Sequence, residues 1–110
     1  MLPRAHRLLR RQDFDAVYRR GRVRRGRLLT IRSLQQAEGP IRVGFVVGTA
    51  VSKRATIRNR IKRQLRHVSL ALLPNLPPHL DVVLTYHDGP APEPAALKTA
   101  VENALSTLRE

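Results

Sequence analysis

The sequence predicts an α+β fold, a small mixed sheet with flanking helices. Three observations lead there. Apolar residues recur at helical spacing over residues 57–72 and 97–108. Short runs rich in β-branched and aromatic residues stand at 28–34, 41–47 and 80–86. The strand-like runs are grouped between helices instead of alternating with them one for one, which separates α+β from a doubly wound sheet. At 110 residues the chain has room for one domain, 1–110, with a single modest core.

Residues 1–11 form a basic N-terminal segment, read as extended from residue 2. A short helix over 12–20 follows, with Phe14, Val17 and Tyr18 on its apolar side and Gly21 as its stop. A strand at 28–34, a polar turn at 35–40 and a second strand at 41–47 suggest a hairpin. The long basic helix comes next and must end before Pro74, because proline disfavours helical geometry in the residue ahead of it. Leu80-Asp81-Val82-Val83-Leu84-Thr85-Tyr86 has the content of a buried strand, and 87–94 is a Gly/Pro loop. Leu97, Ala100, Val101, Ala104, Leu105 and Leu108 make the last helix a packing element. The order is helix, two or three strands, basic helix, strand, helix: at its fullest, α-β-β-β-α-β-α.

Charge is the strongest signal. The net charge is +13, and residues 1–66 hold 19 of the 21 Lys and Arg against 3 acids, a local net of +16. Residues 67–110 carry 2 cations and 5 acids, a net of −3. Segregation of this kind points to nucleic acid or an anionic membrane. Arginine supplies 18 of the 21 cations, and its planar fork pairs with phosphate and stacks on bases, which favours nucleic acid. Cysteine is absent, so disulfides and thiol chemistry are excluded, which suits a reducing, cytoplasmic setting. Met1-Leu2-Pro3-Arg4 lacks the apolar core of a secretory signal, and the longest apolar run, 43–51, is too short to span a bilayer.

The charge is densest at Arg58-Asn59-Arg60-Ile61-Lys62-Arg63-Gln64-Leu65-Arg66, five cations in nine residues. At about 100° per residue, Ile57, Ile61, Leu65, Val68 and Leu72 fall within an arc of roughly 80°, the stripe a helix buries. Arg58, Arg60, Lys62, Arg63 and Arg66 fan across the other side with Asn59 among them. No acid lies between Lys53 and Leu80 to offset their repulsion. Like charges at i, i+4 cost a few tenths of a kcal/mol per pair. With Ser52 as N-cap, Lys53 and Arg54 fall in the first turn, where the helix dipole disfavours cations by about 0.3–1 kcal/mol each. A bound phosphate backbone would remove both penalties, whereas an ordinary solvated face would intersperse acids.

Catalytic chemistry is sparse beside this. Asp13 and Asp15 point to different faces of a short helix, Asp81 and Asp88 bracket a strand, and the four histidines show no i, i+4 pair. No nucleophile and no metal-ligand set stands out, so no catalytic or metal residue is assigned. Gly44 to Thr49 lacks the spacing and the lysine of a phosphate loop, and its glycines are read as letting a strand bend.

Residues 55–66 strongly resemble the Arg-Asn-Arg helix of the bacterial ribonuclease P protein subunit. The likeness extends to Asp13-Phe14 through Tyr18-Arg19-Arg20-Gly21, to Arg42-Val43-Gly44-Phe45 and to Asp81-Val82-Val83, in order, spacing and total length. Where that family commonly has Ser-Lys-Lys after its second core strand, this chain has Gly48-Thr49-Ala50 and then Ser52-Lys53-Arg54, so the basic pair sits nearer the helix. The resemblance implies a sandwich like the second domain of ribosomal protein S5, with a left-handed crossover against the usual right-handed preference. It also implies a subunit of a ribonucleoprotein endonuclease. The catalytic RNA hydrolyses precursor tRNA to remove the 5′ leader, using Mg2+ held mainly by the RNA. By the same resemblance Arg58, Asn59, Arg60, Lys62, Arg63 and Arg66 grip the catalytic RNA. Phe14, Tyr18 and Phe45, with Lys53 and Arg54, are candidates for the leader, in a cleft between the first helix and the sheet. The competing role for the three aromatics is core packing.

Other readings separate by test. A basic ribosomal or ribosome-assembly protein would share the charge but join no cleavage. A DNA-binding module would need a partner helix and short turn ahead of the basic helix, where strands stand instead. A membrane-surface protein would need Trp or Phe in the apolar stripe. The partners implied are therefore ribonuclease P RNA and precursor tRNA, with no DNA and no membrane.

Overall fold

The chain adopts the order read from its sequence: α1 (Arg11–Arg20), β1 (Arg22–Arg25), β2 (Leu29–Gln35), β3 (Arg42–Val47), α2 (Ala55–Leu72), β4 (Leu80–Tyr86) and α3 (Pro94–Ser106). A computed structural model describes residues 2–109. Met1, in the basic N-terminal segment, and Glu110 lie outside the described residues.

The four strands run in the order β1-β2-β4-β3. The expected hairpin between β2 and β3 does not form, because β4 lies between them. It pairs antiparallel with β2 and parallel with β3, with α2 as the crossover. The reason is burial. Six of the seven β4 residues are buried, on both faces, and such a strand is stable only at the centre of a sheet. The hairpin partner of β2 is β1, Arg-Val-Arg-Arg, which carries one apolar residue in four and gives no strand pattern of its own.

Alternation along the strands then sorts side chains to two faces. Leu29 and Ile31 of β2, Val43 and Val47 of β3, and Val82, Leu84 and Tyr86 of β4 join Ile61, Leu65, Leu97, Val101 and Leu105 in the main core under α2 and α3. On the other face Val83 packs with Val17 and Leu8, with Phe14, Leu34 and Val46 alongside, under α1. Burying a side chain of this kind contributes about 1.5–3 kcal/mol, so α1 is held chiefly by Val17. The N-terminal segment is more than an extended basic arm. Leu2 and Leu8 are buried, a 3-10 turn runs over Arg4–His6, and Arg7 bridges to Val43 in parallel.

Two of the glycines required by close approach pack against α1. A Cβ on Gly44 would sit 2.5 Å from the Phe14 ring, so Gly44 clears space for that ring and does not serve to bend β3. One on Gly21 would sit 2.5 Å from the Val17 carbonyl and 2.9 Å from that of Ser33, where the end of α1 closes on β2. Gly44→Val should therefore expel Phe14 and destabilise the protein by about 1–3 kcal/mol, the usual range for overpacking. Chemical denaturation measures it, and an unchanged midpoint would contradict this packing.

Asp81 is 1% exposed and lies inside β4. Arg42, its register partner on β3, donates from Nε to Oδ1 at 2.8 Å and from Nη2 to Oδ2 at 2.7 Å, and Gln36 Nε2 donates to Oδ2 at 2.9 Å. Arg42 also reaches Asp13 of α1 at 3.4 Å. The hydrogen bond to Asp81 raises the Arg42 pKa against the opposing cost of burial. One fork thus joins α1, β3 and β4, and it pairs the first residues of the Arg-Val-Gly-Phe and Asp-Val-Val motifs.

Candidate nucleic-acid interface

The apolar stripe of α2 lies against the sheet and α3. Ile61, Leu65 and Ser69 are buried in an i, i+4 row, with Ile57, Val68 and Leu72 packed beside them. Ser69 was not foreseen, since a serine gives no hydrophobic signal. The cations consequently face outward. Asn59, Arg60 and Arg63 are exposed, while Arg58, Lys62 and Arg66 form a half-buried row whose aliphatic stems lie along the body of the domain. Arg58 Nη1 donates to the Ser52 carbonyl at 3.0 Å, and the Arg66 guanidinium sits 6.0 Å from the centre of the Phe45 ring.

The N-terminus of α2 differs from its sequence reading. The helix starts at Ala55 with Arg54 at the N-cap position and no side-chain cap. Ser52 instead accepts a hydrogen bond from the Arg54 backbone N–H at 3.1 Å, closing a turn ahead of the helix. Lys53 and Arg54 are exposed in that turn and lie before the first helical turn, so the dipole penalty expected for them is smaller.

The aromatic candidates divide. Tyr18 is 44% exposed, and the Arg32 guanidinium lies 4.8 Å from its ring centre. Arg32 faces the α1 side of β2, because its cross-strand partner Val83 belongs to the cluster beneath α1. Val23, the partner of Arg32 on β1, is 40% exposed, and Thr85 on the same face keeps a buried Oγ1 with no hydrogen-bond partner. Tyr18, Arg32 and Val23 thus supply a flat ring, a cation and an apolar spot on one surface, with the unpaired Thr85 hydroxyl buried on the same face of the sheet. Arg32 and Thr85 were missed in the sequence, although the outward phase of Arg32 in an alternating strand is a readable signal.

Phe45 is not brought to that surface. Its register partner is Leu84, so it lies on the opposite face of the sheet and packs on the main core. Phe14 is half-buried over Gly44, and the two phenylalanines meet only at the β3 edge. There they line a hollow of about 310 Å³ together with Arg7 and Arg66.

Among the described residues, no three His, Asp or Glu side chains converge to hold a metal ion. Asp13 and Asp81 approach one another only through Arg42, whose guanidinium fills the place a cation would take. The residues present therefore do not fit a protein-held magnesium site. No helix among the described residues is long and apolar enough to cross a membrane.

The family model described as Ribonuclease P matches residues 2–109. The chain belongs to the ribonuclease P protein family. The ribonuclease P protein component of Microcystis aeruginosa is 48% identical over 79 residues, covering 68% of this chain and 66% of that protein. That of a Cyanothece species is 35% identical over 126 aligned positions, covering 100% of this chain and 92% of the relative. The solved ribonuclease P protein of Staphylococcus aureus superimposes with a TM-score of 0.82 at 20% identity, over 94% of this chain and 95% of that one. The Thermotoga maritima protein gives 0.82 at 21% identity, over 92% and 96%. At such identities the solved structures speak for the fold, while the sequence relatives speak for the family. Membership makes this chain a ribonuclease P protein component, and so a part of that endonuclease.

Proposed function

We propose that this chain binds the catalytic RNA of ribonuclease P through α2 and the single-stranded 5′ leader of precursor tRNA on the α1 face of the sheet. In doing so it assists magnesium-dependent endonucleolytic removal of the leader. The observation that supports this most is the outward array of Arg58, Asn59, Arg60, Lys62, Arg63 and Arg66, without an intervening acid. Arginine forks make charge-assisted bonds to phosphates, and Asn59 adds hydrogen bonds without charge. Hydrolysis and its magnesium ions are assigned to the RNA, in the cytoplasm where precursor tRNA is made.

For the leader, Tyr18 offers an open ring on which bases stack for about 1–3 kcal/mol each with little sequence preference. Phe14 stands behind it in α1. Lys53 and Arg54, exposed in the turn between β3 and α2, add phosphate contacts. Phe45 is left to the core and to Arg66.

Cleavage of precursor tRNA by the RNA alone, the protein alone and the two together tests the proposal. The expected result is activity with RNA, stimulation at low magnesium by added protein, and none with protein alone; trimming by the polypeptide unaided would overturn it. Counterion release supplies a second measure. With about six phosphates engaged, log affinity for the catalytic RNA should fall against log salt with a slope of about −4 to −5. A flat response in filter binding would mean stacking or apolar docking instead.

A further inference from the structure

Five arginines outside α2 share one place in the fold. Arg20 ends α1, Arg22, Arg24 and Arg25 lie on β1, and Arg27 stands in the turn to β2. β1 is an edge strand and all four of its residues are exposed. Charge on an edge strand discourages pairing with other chains. That purpose alone does not explain what the cations line.

The register places Arg22 and Arg24 opposite Ser33 and Ile31, on the α2–α3 side of the sheet. α3 packs on β2, and the hairpin overhangs it. Two hollows result, of about 730 and 740 Å³. Arg20, Arg22 and Arg24 border one, facing Pro77, Pro78 and Leu108. Arg24, Arg25 and Arg27 border the other, facing Ala96, Thr99 and Asn103 of α3. Both are lined by Arg24, Ile31 and Thr107, so they join into one groove along the hairpin. Among the described residues, Glu93 is the one acid in its lining.

The groove is also continuous with the proposed leader surface. Val23 faces the α1 side, where its partner Arg32 lies over Tyr18, and Arg25, on the same phase but at the end of the strand, reaches round the edge to line the second hollow. Only the edge strand separates the two. A strand of RNA leaving Tyr18 needs to cross one β-strand to meet the arginines on the far side.

We infer that this groove binds the more distant, 5′ part of the precursor leader, whose nearer part lies against Tyr18 and Arg32. It would hold the phosphates of that strand without reading its sequence, so longer leaders would gain affinity. This rests on the leader-binding reading above.

The test uses the reconstituted holoenzyme with two precursors, one whose leader ends at the Tyr18 surface and one extended well beyond it. The variant carries Arg22→Thr, Arg25→Thr and Arg27→Ser, which keeps strand propensity on β1. The wild type should bind the long-leader precursor about tenfold more tightly, and the variant should lose that advantage. Its salt slope for the long leader should be shallower by about 2, from three lost phosphate contacts. Affinity for the short-leader precursor and for the catalytic RNA alone should not change. Restoring charge with Arg22→Lys, Arg25→Lys and Arg27→Lys should restore the long-leader advantage. Since the chain has no cysteine, a crosslinker on Arg22→Cys, which lines the groove, should capture only the extended leader.

Equal loss for both precursors, or loss with the catalytic RNA alone, would overturn the inference and assign the groove to that RNA. A wild type indifferent to leader length, or a variant with no loss, would leave the arginines as edge protection only. Failure of the leader-binding reading looks different: neither precursor would then be bound better by the holoenzyme than by its RNA.

Discussion

Replacing Arg58, Arg60 and Arg63 together with alanine is expected to leave the fold intact and to weaken binding to the catalytic RNA by about 4–5 kcal/mol. The figure takes about 1.5 kcal/mol for each of three charge-assisted hydrogen bonds. The fold should survive because Arg60 and Arg63 are exposed, and Arg58 contributes one hydrogen bond to the Ser52 carbonyl. Alanine is also the best helix former, and removing like charges relieves α2 of repulsion at Arg58 and Lys62. The variant should therefore unfold at nearly the wild-type temperature while its affinity falls about a thousandfold or somewhat more, the equivalent of that energy. Unchanged affinity in a filter-binding titration would refute α2 as the docking surface. Lost affinity with a collapsed thermal midpoint would show that the arginines act through the fold.

A different change should strike stability and spare the RNA surface. In Arg42→Met the aliphatic stem is kept and the fork is removed, leaving the Asp81 carboxylate buried with, among the described side chains, only the Gln36 amide. Breaking a fully buried pair costs about 3–5 kcal/mol. Here the guanidinium side is 33% exposed, so water recovers part of the loss and about 3 kcal/mol is expected. For a chain of this size that lowers the thermal midpoint by about 12–24 °C. The double variant Arg42→Met, Asp81→Leu should recover most of the loss, because removing both partners leaves no orphaned charge. A single variant as stable as wild type, or a double variant no better than the single, would contradict this role for the pair.

Which parts of the molecule were legible beforehand follows from the range of the forces involved. The basic helix was readable because its stripe and its cations are both set by helical spacing, and they emerge on opposite sides as that spacing requires. The β4 run was readable as a buried strand for the same local reason. Sheet order was not. Nothing within 28–47 says that β2 and β3 are separated by a strand formed more than thirty residues later, since that choice rests on burying β4 from both sides and along both edges. β1 escaped notice because its pairing with β2, and not its own composition, makes it a strand.

The candidate sites divide along the same line. Arg58 to Arg66 needed only the helix, whereas the neighbourhood of each aromatic depended on register. Tyr18 found Arg32 across a face that the strand phase assigns. Phe45 went to the other face because it pairs with Leu84. Gly44 owes its identity to a ring thirty residues away in the chain.

By itself the sequence determined that this is a small α+β protein with a polycationic helix whose cations lie opposite its apolar stripe, because charge density and periodicity are properties of neighbouring residues. Only the tertiary structure decided which strands pair, that Arg42 neutralises Asp81, and that the hairpin arginines overhang α3 to form a groove. Those outcomes depend on which distant surfaces must be shielded from water together, and no local pattern encodes that.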